Sequence, residues 1–119
     1  MSMRTFLSAL FTTMLVAAQA QRTELYDNAI VRDSIDTQIH RELAAGLWSA
    51  DVASGKLNGT ITLRITIDAK GRATSVFVPE CTLPIAWKNT VKDHWYDHRF
   101  DLRLPKGHTE QVEIVLHFP

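Results

Sequence analysis

Two histidines are the residues in this sequence whose type and spacing most resemble a chemical site. His94 and His98 lie four positions apart, so on a continuous helix their rings would share one face, as in many zinc and copper sites. The alternative is an ordinary solvated helix end, where a protonated histidine also suits the helix dipole. Three aspartates lie nearby, but no third ligand is placed by its spacing. The sequence therefore predicts no metal site and no cofactor.

Cys81 is the only cysteine, so the chain cannot form an internal disulfide. It could be a small buried side chain, a free thiol or a link to another molecule. Its position between a strand end and a helix start predicts the first of these. A nucleophilic role would need a base, and nothing in the sequence places a histidine beside it. The sequence also contains no phosphate-binding loop and no nucleophile elbow, and we expect no enzyme activity.

The composition is that of one small globular domain with balanced charge. The chain has 119 residues, of which 45% are hydrophobic, and 13 basic residues balance 13 acidic ones. Domains that bind nucleic acid carry a basic face, so this balance argues against a nucleic-acid partner. It also gives no reason to expect binding to an anionic membrane surface.

The N-terminal segment has the pattern of an export signal. An apolar run follows Arg4 and ends in the small-x-small pattern Ala18-Gln19-Ala20 that a signal peptidase recognises. The run is shorter than the roughly twenty residues that a membrane span needs. We therefore predict a cleaved signal peptide over residues 1–20, a mature domain over 21–119 without a membrane span, and a periplasmic location, with secretion as the alternative. An uncleaved anchor and a buried N-terminal helix are two other interpretations of this segment.

Two segments carry the periodicity of amphipathic helices. The first covers residues 28–47, and Asp27 is placed to cap its N-terminus. The second covers residues 83–96, with Thr82 as its N-cap and Pro84 in its first turn. The apolar stripes consist of Val31, Ile35, Ile39, Leu43 and Leu47 in the first helix and of Leu83, Trp87, Val91 and Trp95 in the second.

Three segments have the two-residue alternation of half-buried strands. Residues 60–67 and 72–79 flank the turn Asp68-Ala69-Lys70-Gly71 and so predict a hairpin. The alternation of the second strand is broken, which predicts either a β-bulge or a twist of the strand at the end of the sheet. The third strand covers residues 111–118. The side chains expected to face the core are Ile61, Leu63, Ile65 and Ile67 in the first strand and Val112, Ile114, Leu116 and Phe118 in the third.

These elements predict an α+β domain with both helices on one face of a three-stranded antiparallel or mixed sheet. The second helix connects the second strand to the third, and a right-handed crossover favours the spatial order 2-1-3. The third strand is then an edge strand, with Glu113, Val115 and His117 on its outward face. Residues 49–59 and the segment from 97 to 110 are expected to be irregular.

Four stretches of the sequence resemble the C-terminal domain of TonB and its relatives. They are GTITLRITIDAKGRATSVFV, VKDHWYDHRF, PKG and VEIVLHF, which together lie within about residues 58–118. Domains of that family show an alternating strand, an I-D-x-x-G turn, a V-x-V strand, a short helix ending near a tryptophan, then Pro and Gly before a final alternating strand. The matching positions are Ile67, Asp68, Gly71, Val76, Val78, Val91 and Trp95.

The resemblance implies a periplasmic protein-binding module whose final strand receives an extended peptide from an outer-membrane receptor. The physical basis of such strand addition is general, because an edge strand presents unpaired N–H and C=O groups to any extended chain. Glu113, Val115 and His117 are expected to contact the partner through their side chains. The complete set of predicted partner-binding residues is Gln111, Val112, Glu113, Ile114, Val115, Leu116 and His117.

The sequence also departs from the TonB pattern. Energy-coupling members carry an uncleaved membrane helix and a Pro-rich spacer, whereas the signal predicted here is cleavable and a helix follows it almost at once. The segment DHWYDHRFDLRLPKG is longer and more charged than the usual link of the family. We therefore expect a stand-alone adaptor or binding protein of the envelope. The alternative is a homodimeric envelope scaffold closed through the same edge strand, because an exposed Val115 suits self-pairing equally well.

Overall fold

The computed structural model describes residues 27–119, so the predicted signal peptide over 1–20 and residues 21–26 lie outside the described residues. The elements of the described part, in chain order, are α1 (Asn28–Ala44), α2 (Ser49–Ala53), β1 (Gly59–Ile67), β2 (Ala73–Cys81), α3 (Ile85–Trp95) and β3 (Glu110–Phe118).

The strands form one sheet in the order β2-β1-β3, which confirms the predicted order. β1 pairs antiparallel with both of its neighbours, so the sheet is antiparallel rather than mixed. The architecture is of the α+β class, with β2 and β3 at the two edges of the sheet.

The core lies on one face of this sheet. Every second side chain of β1, from Ile61 to Ile67, is fully buried, and the residues between them reach the opposite face. The buried residues of α1 and α3 belong to the same cluster, so both helices pack against this face. Within residues 27–119 the opposite face, called the open face below, is left uncovered. The helical residues of this cluster are Val31, Ile35, Ile39, Val91 and Trp95.

β2 contains the irregularity that its broken alternation predicts. Its register with β1 shifts at two places, and the strand extends past the predicted end at residue 79 to Cys81. The shift between Thr66 and Ile67 allows Ala73 and Val76, three positions apart, to face the core together. It also turns Phe77 to the open face, where it is 55% exposed.

α1 begins as predicted but ends early. The Asp27 carboxylate accepts a hydrogen bond from the Ala29 N–H at 2.8 Å and caps the helix. The helix ends at Ala44 rather than at residue 47, because the chain turns at Gly46, which has a φ of 114°.

α3 is shorter than predicted at both ends. It spans Ile85–Trp95 rather than 83–96, and Pro84, not Thr82, is its N-cap residue. Thr82 instead continues the pairing of β2 with β1: its N–H donates to the Thr60 carbonyl at 2.8 Å, and its hydroxyl accepts from the Thr60 N–H at 2.8 Å. These tertiary bonds occupy the groups that a cap would have used.

The segment 49–59, predicted as a loop, contains the short helix α2. Trp48 adopts a left-handed backbone with a φ of 58°, and its carbonyl accepts from the Val52 N–H at 3.0 Å. Leu57 then enters the core and is fully buried. This buried leucine anchors the connection between α1 and the sheet.

The connection between α3 and β3 is irregular, as predicted, but it is bound to the hairpin. The Phe100 N–H donates to the Gly71 carbonyl at 2.8 Å, and the Leu104 N–H donates to the Ala69 carbonyl at 3.0 Å. Phe100, Leu102 and Leu104 bury their side chains in the core. The connection therefore fixes the hairpin turn in place.

Asp68 organises the turn itself. Its Oδ1 accepts from the N–H groups of Lys70 at 2.9 Å and Arg72 at 3.0 Å. Burial acts to raise the pKa of Asp68, but these hydrogen bonds and the Arg72 guanidinium outweigh it, so the pKa lies below its ordinary 3.8. The stabilisation is present above pH 3.8 and is lost as the pH falls through the lowered pKa.

We predict that Gly71→Ala destabilises the domain by about 3 kcal/mol. Gly71 has a φ of 85°, and an added Cβ would lie 2.5 Å from the Phe100 carbonyl oxygen and 2.7 Å from that of Leu102. Gly107→Ala is the matched control, because Gly107 has a φ of 80° but no atom within 4 Å of an added Cβ. It should cost only about 1 kcal/mol. Urea unfolding measures both, and equal losses would contradict the packing role of Gly71.

Candidate functional site

β3 sends the side chains of the predicted partner-binding residues to two opposite sides. Val112, Ile114 and Leu116 are buried in the core. Gln111, Glu113, Val115 and His117 are exposed on the open face. Val115 is the exposed apolar residue of this strand, with 56% of its surface accessible.

The main-chain groups of β1 alternate between its two neighbours. The N–H and C=O of Thr60 both bond to Thr82, on the β2 side. The Asp68 N–H, just after the end of β1, donates to the Arg72 carbonyl at 3.0 Å on the same side. Because the direction alternates from residue to residue, the even-numbered residues of β1 bond towards β2 and the odd-numbered ones towards β3.

The same alternation assigns the main-chain groups of β3. β1 and β3 pair without a register shift, and the odd-numbered residues of β1 lie opposite Val112, Ile114 and Leu116. These three residues therefore direct their N–H and C=O groups to β1. The intervening residues direct theirs away from the sheet, and in the described part of the chain β3 has no strand partner other than β1.

The first residue of α1 covers the beginning of this edge. Asn28 Nδ2 donates to the Gln111 carbonyl at 3.0 Å and to Glu110 Oε2 at 2.8 Å. The bond to the Gln111 carbonyl agrees with the outward direction of this group. Among residues 27–119, the part of the edge that is left uncovered therefore runs from Glu113 to His117.

β2 does not offer a comparable edge. The Ala73 N–H donates to the His98 carbonyl at 2.8 Å, and the Ala73 carbonyl accepts from the Asp97 N–H at 2.9 Å. Two register shifts and Pro79 interrupt the rest of the strand. Bulges, proline and covering segments are the usual means by which proteins block an edge. The nine residues of β3 contain no proline and no register shift.

A row of three side chains crosses the open face and ends at the edge. The Arg64 guanidinium lies 5.7 Å from the centroid of the Phe77 ring and donates to Glu113 Oε1 from Nε at 3.1 Å and from Nη2 at 2.7 Å. The row holds the Glu113 carboxylate in place while leaving its side chain 53% exposed. Phe77 is not among the site residues predicted from the sequence, although the alternation of Val, Phe and Val at 76–78 was a signal for it.

The other end of the edge carries an imidazole. His117 Nδ1 lies 2.8 Å from Thr60 Oγ1 on the neighbouring strand. The candidate site, called the β3 edge below, consists of the exposed side chains and outward main-chain groups of Gln111, Glu113, Val115 and His117. Along the strand it presents an amide, an anion, an apolar group and an imidazole.

The two histidines considered for metal binding lie against α1 instead. His94 is in α3, but His98 lies beyond the end of that helix, so they do not share a continuous helix. Both rings face Glu42: His94 Nε2 is 3.2 Å from its Oε1, and His98 Nε2 is 3.9 Å from its Oε2. The rings of Trp95 and Phe100 pack on His98. This group joins α1 to the end of α3.

Within residues 27–119, no three side chains of His, Cys, Asp or Glu are arranged to hold a metal ion. Cys81 is half-buried rather than fully buried, and its Sγ accepts from the Leu83 N–H at 3.3 Å. Cys81 packs against the core where β2 leads into α3.

We predict that His98 makes the domain less stable in mild acid. Burial lowers the pKa of His98 below its ordinary 6.5, the Glu42 carboxylate opposes this shift, and a protonated His94 adds to it. His98 therefore binds a proton more readily in the unfolded chain than in the folded one. The stability of the fold decreases as the pH drops from 6.5 through the lowered pKa. The urea midpoint should be lower at about pH 5.5 than at about pH 7.5, and this difference should be smaller in His98→Gln.

His40→Gln is the matched control for this experiment. His40 is exposed on α1, with 54% of its side chain accessible, and it lies beside Asp36 rather than in the Glu42 group. The control should keep the pH dependence of the original chain. If His98→Gln loses as much stability on acidification as the original chain does, His98 is not the source of the pH dependence.

Comparison with known proteins identifies no relative, since no family model, no curated protein and no solved structure matches the chain. No helix among residues 27–119 is both long and apolar enough to cross a bilayer. The likeness of about residues 58–118 to the TonB C-terminal domain stays a prediction from the sequence, and the α+β architecture is what the structure establishes.

Proposed function

We propose that the domain is an exported protein-binding module that adds an extended peptide of a cell-envelope partner to the β3 edge. The observation that carries this proposal is the outward main chain of Glu113, Val115 and His117, on a strand whose one strand partner within residues 27–119 is β1. Unpaired N–H and C=O groups on a regular strand are a template for a further strand.

Main-chain bonds would supply affinity, and side chains would supply selectivity. In antiparallel pairing, each hydrogen-bonded residue pair exchanges two bonds, so Glu113, Val115 and His117 together offer about six. Their side chains lie opposite every second residue of the peptide. Cross-strand preferences favour a basic residue opposite Glu113 and an apolar residue opposite Val115.

The edge is suited to binding because it is already in the required conformation. The side chains of Val112, Ile114 and Leu116 are buried in the core, and β1 supports the whole length of β3. A peptide that adds to this strand does not have to order it, which reduces the free-energy cost of association.

The predicted location and resemblance support the same function. The export signal predicted over residues 1–20 would deliver the domain to the periplasm, where outer-membrane proteins expose extended segments. TonB relatives bind such segments through the strand that corresponds to β3. Because the predicted signal is cleavable, we propose an adaptor or binding protein rather than an energy transducer, with no enzyme activity and no cofactor.

We predict that Val115→Pro abolishes partner capture while the domain stays folded. The Val115 N–H points away from the sheet, and proline is tolerated on an edge strand at such positions. A photoreactive amino acid placed at position 117 in living cells of the source should crosslink to a discrete envelope protein. Val115→Pro should reduce that product by about tenfold or more, because it removes a main-chain donor and disturbs its neighbour.

Val115→Ala is the matched control, because it removes the side chain but keeps the N–H. It should reduce the crosslink by no more than about threefold. A photoreactive residue at the exposed position Asn89 on α3 should give no such product. If a folded Val115→Pro variant captures the partner as well as Val115→Ala does, the proposal that the peptide pairs with the main chain of β3 is wrong.

A further inference from the structure

We propose that, when no partner peptide is bound, the β3 edge pairs with the β3 edge of a second copy of this chain. The two strands run antiparallel about a two-fold axis at Val115. This use of the edge is separate from the proposed peptide binding. It is carried by the order of side chains along the edge and by the hydrogen bonding at its beginning.

The order of the side chains selects the register. Hydrogen-bonded pairs form only where outward residues oppose each other. A two-fold axis at Glu113 would place two carboxylates opposite each other, and an axis at His117 would do the same with two imidazoles. An axis at Ile114 or Leu116 would place Val115 opposite a polar side chain. An axis at Val115 places the two copies of Val115 opposite each other and places Glu113 opposite His117 of the second copy at two symmetric positions. Apolar pairs are favourable across strands, and the His117 imidazole, as a hydrogen-bond donor, suits the Glu113 carboxylate opposite it.

The beginning of the strand fits the same register. Gln111 would lie opposite Pro119 of the second copy, which has no N–H to donate. The Gln111 carbonyl does not need that donor, because it already accepts from Asn28 Nδ2 at 3.0 Å. A register centred on Ile114 would instead bring the N–H of His117 to this carbonyl, where Asn28 already lies.

The two faces of the combined sheet also match. On the core side, Ile114 would face Leu116 of the second copy, and the apolar face would be continuous across the axis. On the open face, His117 of the second copy would extend the Arg64–Glu113 ion pair, whose atoms lie 2.7 Å apart. The closed pairing covers both β3 edges at once and leaves only the irregular β2 edges exposed.

A second copy and a peptide would therefore compete for the same main-chain groups. An interface made from one pair of strands is smaller than the roughly 800 Å² per partner of stable complexes, so we expect a weak, reversible dimer. Such a dimer would shield the regular edge from unspecific pairing until a peptide displaces the second copy.

The register is tested with single cysteines in a Cys81→Ser background. In the proposed dimer, two cysteines at position 115 have Cα atoms about 5.5 Å apart, within disulfide range. Two cysteines at position 117 lie roughly 13 Å apart along the strands, which is beyond that range. Under air oxidation, Val115→Cys should form covalent dimers about tenfold faster than His117→Cys. A mixture of Glu113→Cys and His117→Cys chains should crosslink to each other.

The pairing of Glu113 with His117 of the second copy is tested by sedimentation with a matched pair of variants at position 117. Both His117→Lys and His117→Glu remove the bond to Thr60 Oγ1, but only the first can attract Glu113 of the second copy. The dimer should tighten by about fivefold in His117→Lys and weaken by about fivefold in His117→Glu. A chain that stays monomeric at about 1 mM would overturn the proposal. Crosslinking that is no faster at 115 than at 117 would overturn it as well.

These outcomes are distinguishable from failure of the proposed function. A monomeric chain whose partner capture still depends on the N–H of Val115 would overturn self-pairing alone. A dimer that forms in the predicted register, in a protein whose partner capture does not depend on Val115, would support self-pairing and contradict the peptide function.

Discussion

The two-residue alternation of β1 is the constraint on which the rest of the structure depends. β1 lies between the other two strands, so its odd-numbered residues fill the core and bond towards β3, and its even-numbered residues form the open face and bond towards β2. β3 follows β1 without a register shift and therefore inherits this alternation. For that reason the residues of β3 that expose their side chains are the same residues that direct their main-chain groups away from the sheet.

The two edges of the sheet differ in a way that bears on function. β2 is bulged, contains Pro79 and is covered at its beginning by the segment that Gly71 allows to approach the hairpin. β3 is regular along its whole length, and within residues 27–119 Asn28 covers its first outward carbonyl and leaves the later ones uncovered. A regular exposed edge favours aggregation unless something occupies it. A partner peptide and a second copy of the chain are two occupants that suit the same groups.

Local patterns predicted much of the fold, because a period of two or of 3.6 residues reports which face of an element is buried. The irregularity of β2 and the outward positions of Glu113, Val115 and His117 came from such patterns. The cap at Asp27 came from its residue type at a helix start, and the strand order came from the handedness of crossover connections. Features that depend on tertiary contacts were not predicted. Thr82 bonds to Thr60 instead of capping α3, and Asn28 reaches the β3 edge from 83 positions away. The contact of His94 and His98 with Glu42 likewise requires the packed helices, so no spacing within α3 could have predicted it.

Residue-resolved amide hydrogen exchange of the dilute, partner-free domain tests the central claim most directly. If the outward main chain of β3 is unpaired, the amides of Glu113, Val115 and His117 exchange rapidly, while those of Val112, Ile114 and Leu116 are protected by β1. Raising the protein concentration should then protect the first three. Uniform protection of all six amides at the lowest concentration would mean that the edge is already covered within one chain, and would contradict both proposed uses of it.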